Sequence, residues 1–234
     1  MAFPDAPDIV FARMGFEDAH TLARARATGA YDGLRVALER GPEAVQAEVK
    51  ASGLTGRGGA GFGTAQKWSL LPQGVFPRYV VVNGDESEPG TFKDRQLMER
   101  DPHEVIEGAL ICAYAVNAAR VFLYVRGEMA LAQERLATAL NEAYQAGFIG
   151  TDILGSGWSI DVVLHHGAGA YVDETGVGRG QAMTLGSGSS SGWSTNAFRN
   201  CSVSAIQSAS LGRNTLPERV RYTSGFSAPG GVSS

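Results

Sequence analysis

Cysteine is scarce in this 234-residue chain: Cys112 and Cys201 are the only two. Two thiols build neither a disulfide framework nor a CxxC pair. Cys112, set in Leu110-Ile111-Cys112-Ala113, reads as a small buried hydrophobe. Long apolar runs are missing too, and none approaches the ~18 residues of a membrane span. The opening Met1-Ala2-Phe3-Pro4-Asp5 has neither a cationic n-region nor an apolar h-region. A chain that does not insert into a membrane is therefore expected. Nor is there an excess of one charge. Twenty Lys and Arg are intermixed with 24 Asp and Glu for a net charge of −4, which leaves no basic footprint for nucleic acid and no charged tail. No internal repeat is evident.

What the chain does have is glycine, 31 residues of it, and a 44% hydrophobic content sufficient for a core. The densest run is Ser52-Gly53-Leu54-Thr55-Gly56-Arg57-Gly58-Gly59-Ala60-Gly61-Phe62, followed by Lys67-Trp68. Such a loop lets backbone N–H groups approach a phosphate or a flat ring, since no Cβ intervenes. Gly56-x-Gly58-x-x-Gly61 satisfies the dinucleotide pattern GxGxxG, which should follow a strand and open a helix. Here Val45 and Val49, four apart in Pro42–Ala51, predict a helix before the loop, so the usual Rossmann reading of the motif does not apply. On the glycines alone, a structural turn and a ligand loop stay equally open.

A second feature lies just downstream. Arg78-Tyr79-Val80-Val81-Val82-Asn83 predicts a short strand closed by Gly84, and Asp85, Glu86 and Glu88 follow it. Ligands of open α/β sheets collect beyond such strand ends. Ionised carboxylates are acceptors only, suited to ribose hydroxyls, a flavin ring N–H or an adenine amine. The competing reading is a solvated turn punctuated by Pro89-Gly90.

After the first quarter, helix and strand alternate. Asp101 as cap and Pro102 at the first turn predict a helix through Val105, Ile106, Ala109, Leu110 and Ala113. The apolar run Arg120–Arg126 predicts a strand buried on both faces. Leu131, Leu136, Leu140 and Tyr144 mark one face of a helix ending near Gly147, and Ser159–His165 predicts another strand. This β-α-β-α-β order implies a mostly parallel sheet. His165 and His166, adjacent in a strand, point to opposite faces and are read as structural. His103, just inside a helix N-terminus, is expected to be a surface or capping-region residue. Gly167 and Gly169 supply a second small-residue loop at a strand end.

Taken together, these residues resemble the NADH-binding flavoprotein subunit of bacterial NADH:quinone oxidoreductase (respiratory complex I). The likeness rests on the GRGGAGF loop, Lys67-Trp68, Asn83-x-Asp85-Glu86-x-Glu88-Pro89-Gly90-Thr91, Lys93-Asp94-Arg95, Asp101-Pro102-His103, Arg126-Gly127-Glu128 and Gly167-Ala168-Gly169-Ala170-Tyr171. It covers about residues 10–171. The resemblance implies an α/β, Rossmann-like, mostly parallel sheet with flanking helices, and an oxidoreductase role. In that family FMN takes a hydride from NADH and passes electrons singly to a four-iron cluster. The resemblance further implies that Gly56, Arg57, Gly58, Gly59, Ala60 and Gly61 lie against flavin and nucleotide, with Phe62 stacking adenine. Lys67 would contact nucleotide or flavin, Asn83, Asp85 and Glu86 the flavin, and Glu88 the NADH side. Implied partners are a thioredoxin-like iron–sulfur subunit and a larger cluster-bearing subunit, in the cytoplasm at the inner membrane.

The family pattern breaks after Tyr171. Val172-Asp173-Glu174-Thr175 is a shortened remnant of the family's acidic segment, with Glu174 its best-matched acid. From Gly176 the chain becomes Gly/Ser-rich, as in Gly186-Ser187-Gly188-Ser189-Ser190-Ser191-Gly192, a composition that resists forming a core. Two cysteines cannot ligate a four-cysteine cluster. The expected organisation is a helical lead-in over 1–52, an incomplete FMN/NADH-binding domain over 53–175, and a divergent, poorly structured tail over 176–234 that reads as out of frame. Two alternatives stand beside the respiratory reading. One is the diaphorase subunit of an NAD-linked formate dehydrogenase or hydrogenase, and the other a non-catalytic nucleotide-binding or assembly module.

Overall fold

The structure, a computed structural model, describes residues 10–56, 60–168 and 201–202. Three helices lead in: α1 (Leu22–Ala27), α2 (Asp32–Arg40) and α3 (Pro42–Ala51). After the glycine loop come α4 (Thr64–Ser69), β1 (Tyr79–Gly84), α5 (Lys93–Arg100), α6 (Pro102–Ala115), β2 (Arg120–Val125), α7 (Ala130–Ala146) and β3 (Asp161–His166). Among the described residues the sheet has four strands in the order β3-β2-β1-β4, all parallel, where β4 is the pair Cys201–Ser202 beside Val82 and Asn83. From the tail, predicted to be poorly structured, this pair is the part described, and it extends the sheet on the β1 side.

The central element is α6. Asp101 caps it, its Oδ1 accepting from the Glu104 N–H at 3.3 Å, and Pro102 sits at the first turn as predicted. Helices α1, α2, α3, α5 and α7 all pack on it, as do β1 and β2. A helix enclosed in this way must be apolar nearly all round, and Val105, Ile106, Ala109, Leu110, Ile111 and Ala113 are buried. The same enclosure corrects the expectation for His103, which is fully buried rather than superficial. Its Nδ1 meets Tyr31 Oη at 2.7 Å and its Nε2 meets Glu142 at 3.0 Å, so both ring nitrogens are satisfied. Leu131 is a second correction: it lies off the buried face of α7 and is 44% exposed, whereas Leu136, Leu140 and Tyr144 are buried as predicted.

The lead-in is tied down by buried charge. Glu107 on α6 accepts from the N–H groups of Tyr31 (2.6 Å), Gly33 (2.9 Å) and Leu34 (3.2 Å), capping α2 from a distant part of the sequence. Tyr31 itself, at φ +64, stacks on Phe148 at 3.7 Å. Arg13 reaches Asp101 at 2.6 Å and Glu104 at 3.1 Å. Burial pushes the Glu104 carboxyl up to about 9, reinforced by neighbouring Asp101. It pushes Glu107 up to about 7, against the pull of the backbone donors and Arg13.

Candidate functional site

The C-terminal ends of β1, β2 and β3 are bound into one rim. Gly84 O accepts from the Arg126 N–H at 3.2 Å, and Val125 O accepts from the Gly167 N–H at 2.7 Å. Two glycines allow this closeness. A Cβ on Gly84 would stand 2.7 Å from Tyr124 O and 3.0 Å from Met98 Sδ, and one on Gly167 would stand 2.8 Å from Tyr124 Oη. The sequence pattern marks Gly84 only as the end of a strand, although its place between a strand and an acidic run is the signal for a close approach.

On this rim sits the acidic turn. Asn83 Oδ1 accepts from the Asp85 N–H at 2.9 Å, folding the chain sharply away from the strand. The side chain of Glu86 is 2% exposed; Oε1 accepts from the Asp94 N–H (2.9 Å) and Oε2 from the Arg95 N–H (3.0 Å), with Lys93 Nζ 3.8 Å away. Between these points Glu88-Pro89-Gly90-Thr91 makes a tight turn, with Thr91 N–H on Glu88 O at 3.1 Å. Phe92 projects from the loop and is 65% exposed. Lys93 Nζ pairs with Asp94 Oδ2 at 2.5 Å, and Asp94 Oδ1 is buried with no hydrogen-bond partner among the described residues. Burial holds the Asp94 carboxyl above the usual carboxylate range.

Arg126, which immediately follows β2, completes the rim. It pairs with Glu128 (2.9 Å), donates from Nη1 to Glu86 O (3.3 Å), and its own carbonyl accepts from Gln133 Nε2 at 2.8 Å. Gln133 Oε1 in turn contacts His166 Nδ1 at 2.5 Å. Burial raises the Tyr124 phenol, with the charges of Asp85 and Glu128 adding to the effect, and burial lowers His165, whose ring stacks on Tyr124 at 5.5 Å. Arg126 and Gln133 are additions to the predicted site residues; the signal for Arg126 is its place one step beyond a predicted strand.

The glycine loop closes at its own neck. Gly56 N–H donates to Phe62 O (2.8 Å) and Thr64 N–H to Leu54 O (2.9 Å), with Gly61 at φ +61 and Phe62 36% exposed. Helix α3 precedes it and α4, carrying Lys67, follows it, as the pattern of Val45 and Val49 required. Ala60 lies inside the neck. Thus Asn83, Asp85, Glu86 and Gly167 come together with Arg126 at the rim, and Gly56, Ala60, Gly61, Phe62 and Lys67 belong to the loop and α4. Arg57, Gly58, Gly59, Gly169, Tyr171 and Glu174 lie outside the described residues. Among the described residues no group of three or more His, Cys, Asp and Glu could hold a metal ion, and no helix is long and apolar enough to cross a membrane.

A parallel α/β sheet with a close-approach glycine at one strand end, an acidic turn beyond it and a second glycine at a neighbouring strand end defines a protein of the nucleotide-binding α/β class. More narrowly, the chain belongs to the Nuo51 FMN-binding domain family, whose model matches residues 49–176, just over half of it. It is 45% identical over 166 residues to the F subunit of NADH-quinone oxidoreductase from Rickettsia bellii (strain OSU 85-389), covering 70% of this chain and 40% of that relative. It is 50% identical over 157 residues to the protein of the same name from Streptomyces coelicolor, covering 67% of this chain and 35% of that one. The chain thus spans at most about two fifths of the length of these relatives. A crystal structure of an air-oxidised NAD+-reducing NiFe hydrogenase aligns with a TM-score of 0.47 at 30% identity, over 73% of this chain and 26% of that one.

Proposed function

We propose that the chain is the FMN- and NADH-binding part of an NADH dehydrogenase flavoprotein subunit. The observation that carries the reading is the hydrogen-bonded rim, which gathers Gly84, the Asp85–Glu88 turn, Arg126 and Gly167 at the C-terminal ends of three parallel strands. Family membership supports the same assignment.

The residues present fit such a cofactor by their chemistry. Tyr124 is buried, and Gly84 and Gly167 beside it stand where a Cβ would collide with Tyr124, so the backbone can approach closely there. Acceptors of the Asn83–Glu88 turn suit ring N–H groups and ribose hydroxyls. When bound, FMN supplies hydride uptake from NADH and one-electron release. The protein's part is to hold and orient. Asn83 and Asp85 would face the flavin and Glu88 the NADH side. The loop from Gly56 through Arg57, Gly58, Gly59 and Ala60 to Gly61 would lie along the nucleotide, with Phe62 stacking adenine and Lys67 on the nucleotide or flavin. Gly167, Gly169, Tyr171 and Glu174 would complete the second side. The reading also implies a thioredoxin-like iron–sulfur subunit and a larger cluster-bearing subunit as partners, in the cytoplasm at the inner membrane. The domain limits 1–52, 53–175 and 176–234, with an out-of-frame tail, are proposed alongside; a nucleotide read across the codons for Ala168 to Gly180 tests the last point.

Titration of the purified 234-residue chain with FMN, followed by flavin fluorescence, tests the central reading. Quenching with saturation, then anaerobic bleaching of the yellow colour by NADH, is the expected outcome. A colourless chain that leaves free FMN fluorescence unchanged overturns it and favours a non-catalytic module.

A further inference from the structure

We infer that Glu86 is a positioning residue rather than a cofactor ligand: its carboxylate clasps the start of α5 and thereby sets where Asp85 and Glu88 stand. This deepens the proposed function and rests on it.

Three observations converge. First, both carboxylate oxygens are already occupied, Oε1 by the Asp94 N–H at 2.9 Å and Oε2 by the Arg95 N–H at 3.0 Å. These are first-turn amides of α5 that lack acceptors within the helix, and a carboxylate there also meets the positive end of the helix dipole. Second, the side chain is 2% exposed, so a ligand arriving from solvent does not reach it. Third, the main chain of the same residue is held from the other side, where Arg126 Nη1 donates to Glu86 O at 3.3 Å. Glu86 therefore joins the ends of β1 and β2 to α5. The loop it closes, from 86 to 94, carries Glu88 and the exposed Phe92, and Asp85 stands immediately before it. Three neighbouring acids would otherwise repel one another at a strand end. Anchoring the middle one to backbone donors at the start of α5 compensates its charge there and fixes the turn that carries the other two.

The test uses Glu86→Gln and Glu86→Ala in the full chain, with far-UV circular dichroism to establish folding. Two readouts are taken: hydrogen exchange of the peptide spanning 86–100 in the absence of ligand, and FMN affinity by fluorescence titration. A cap is worth about one factor of ten in an equilibrium constant. The expected result is roughly tenfold faster exchange at the start of α5 in Glu86→Ala with an FMN Kd weakened roughly tenfold, and an intermediate effect on both in Glu86→Gln, which keeps one acceptor oxygen. If Glu86→Ala does not fold, the Gln variant decides. Lost affinity with unchanged exchange would make Glu86 a direct ligand and overturn the inference. Faster exchange with unchanged affinity would reduce the clasp to a local cap and overturn it as well. If the unaltered chain takes up no FMN, the proposed function fails, and the positioning role falls with it.

Discussion

At the scale of single residues, the strongest constraints in this chain are buried charges whose partners lie far away in sequence. Arg13 is paired with Asp101, whose side chain is fully buried and which also caps α6. Removing the acid would leave a largely buried guanidinium with Glu104 as its remaining acidic contact among the described residues, and α6 uncapped. Asp101→Ala should therefore cost about 3–5 kcal/mol in urea denaturation. Glu104 differs although it shares the cluster. Its carboxyl is pushed up to about 9 by burial and by Asp101, and Gln has nearly the same shape and keeps an acceptor oxygen for Arg13. Glu104→Gln, which needs no proton to fold, is expected to match or exceed the parent's stability at pH 7 in the same assay. His103 shows where residue-scale reading fails. A histidine just inside a helix start looks exposed in the sequence, and only the distant Tyr31 and Glu142 make its burial tolerable.

At the scale of elements, strands and helices are largely legible. The β-branched run Val80–Val82, the continuous apolar run of β2 and the Asp101-Pro102 start of α6 carry their own local signals. Leu131 does not, because three-and-four spacing marks a face but not its edge, and α7 turns that position to solvent. The acid turn has a similar ambiguity. As text, Asp85, Glu86 and Glu88 are equivalent acceptors, and only the approach of α5 separates the one that clasps from the two that flank it. The junction of β1 with the rim offers a test. A Cβ at Gly84 would strike a backbone oxygen that cannot swing away, so Gly84→Ala should destabilise by about 1–3 kcal/mol. Gly15, with nothing within 4 Å of its notional Cβ, is the control, and Gly15→Ala should change stability by under about 0.5 kcal/mol in the same urea titration.

At the scale of the whole molecule, the buried acids around α6 couple folding to pH. Glu107 and Glu104 have folded-state values near 7 and 9, above their ordinary value of 4.5. The folded chain thus holds these protons more tightly than the unfolded chain does. Their contribution is greatest below about pH 4.5 and diminishes as pH rises through 7 and then 9, by at most about 1.4 kcal/mol per pH unit for each group. Melting temperatures read at pH 5.5 and 8.5 should be lower at the alkaline value, and Glu104→Gln should flatten the difference; a Tm that rises with pH across this range would contradict the assignment. The fold class, the parallel strand order through β3 and the two glycine-bearing segments were determined by the sequence itself, because periodicity, caps and glycine placement act over a few neighbouring residues. Which acid is anchored to α5, which histidine is buried and how the lead-in locks onto α6 were decided only by tertiary structure. Those outcomes depend on partners from 8 residues away, for Glu86, to 120, for the lead-in, and on loss of water around them, which local periodicity and caps do not specify.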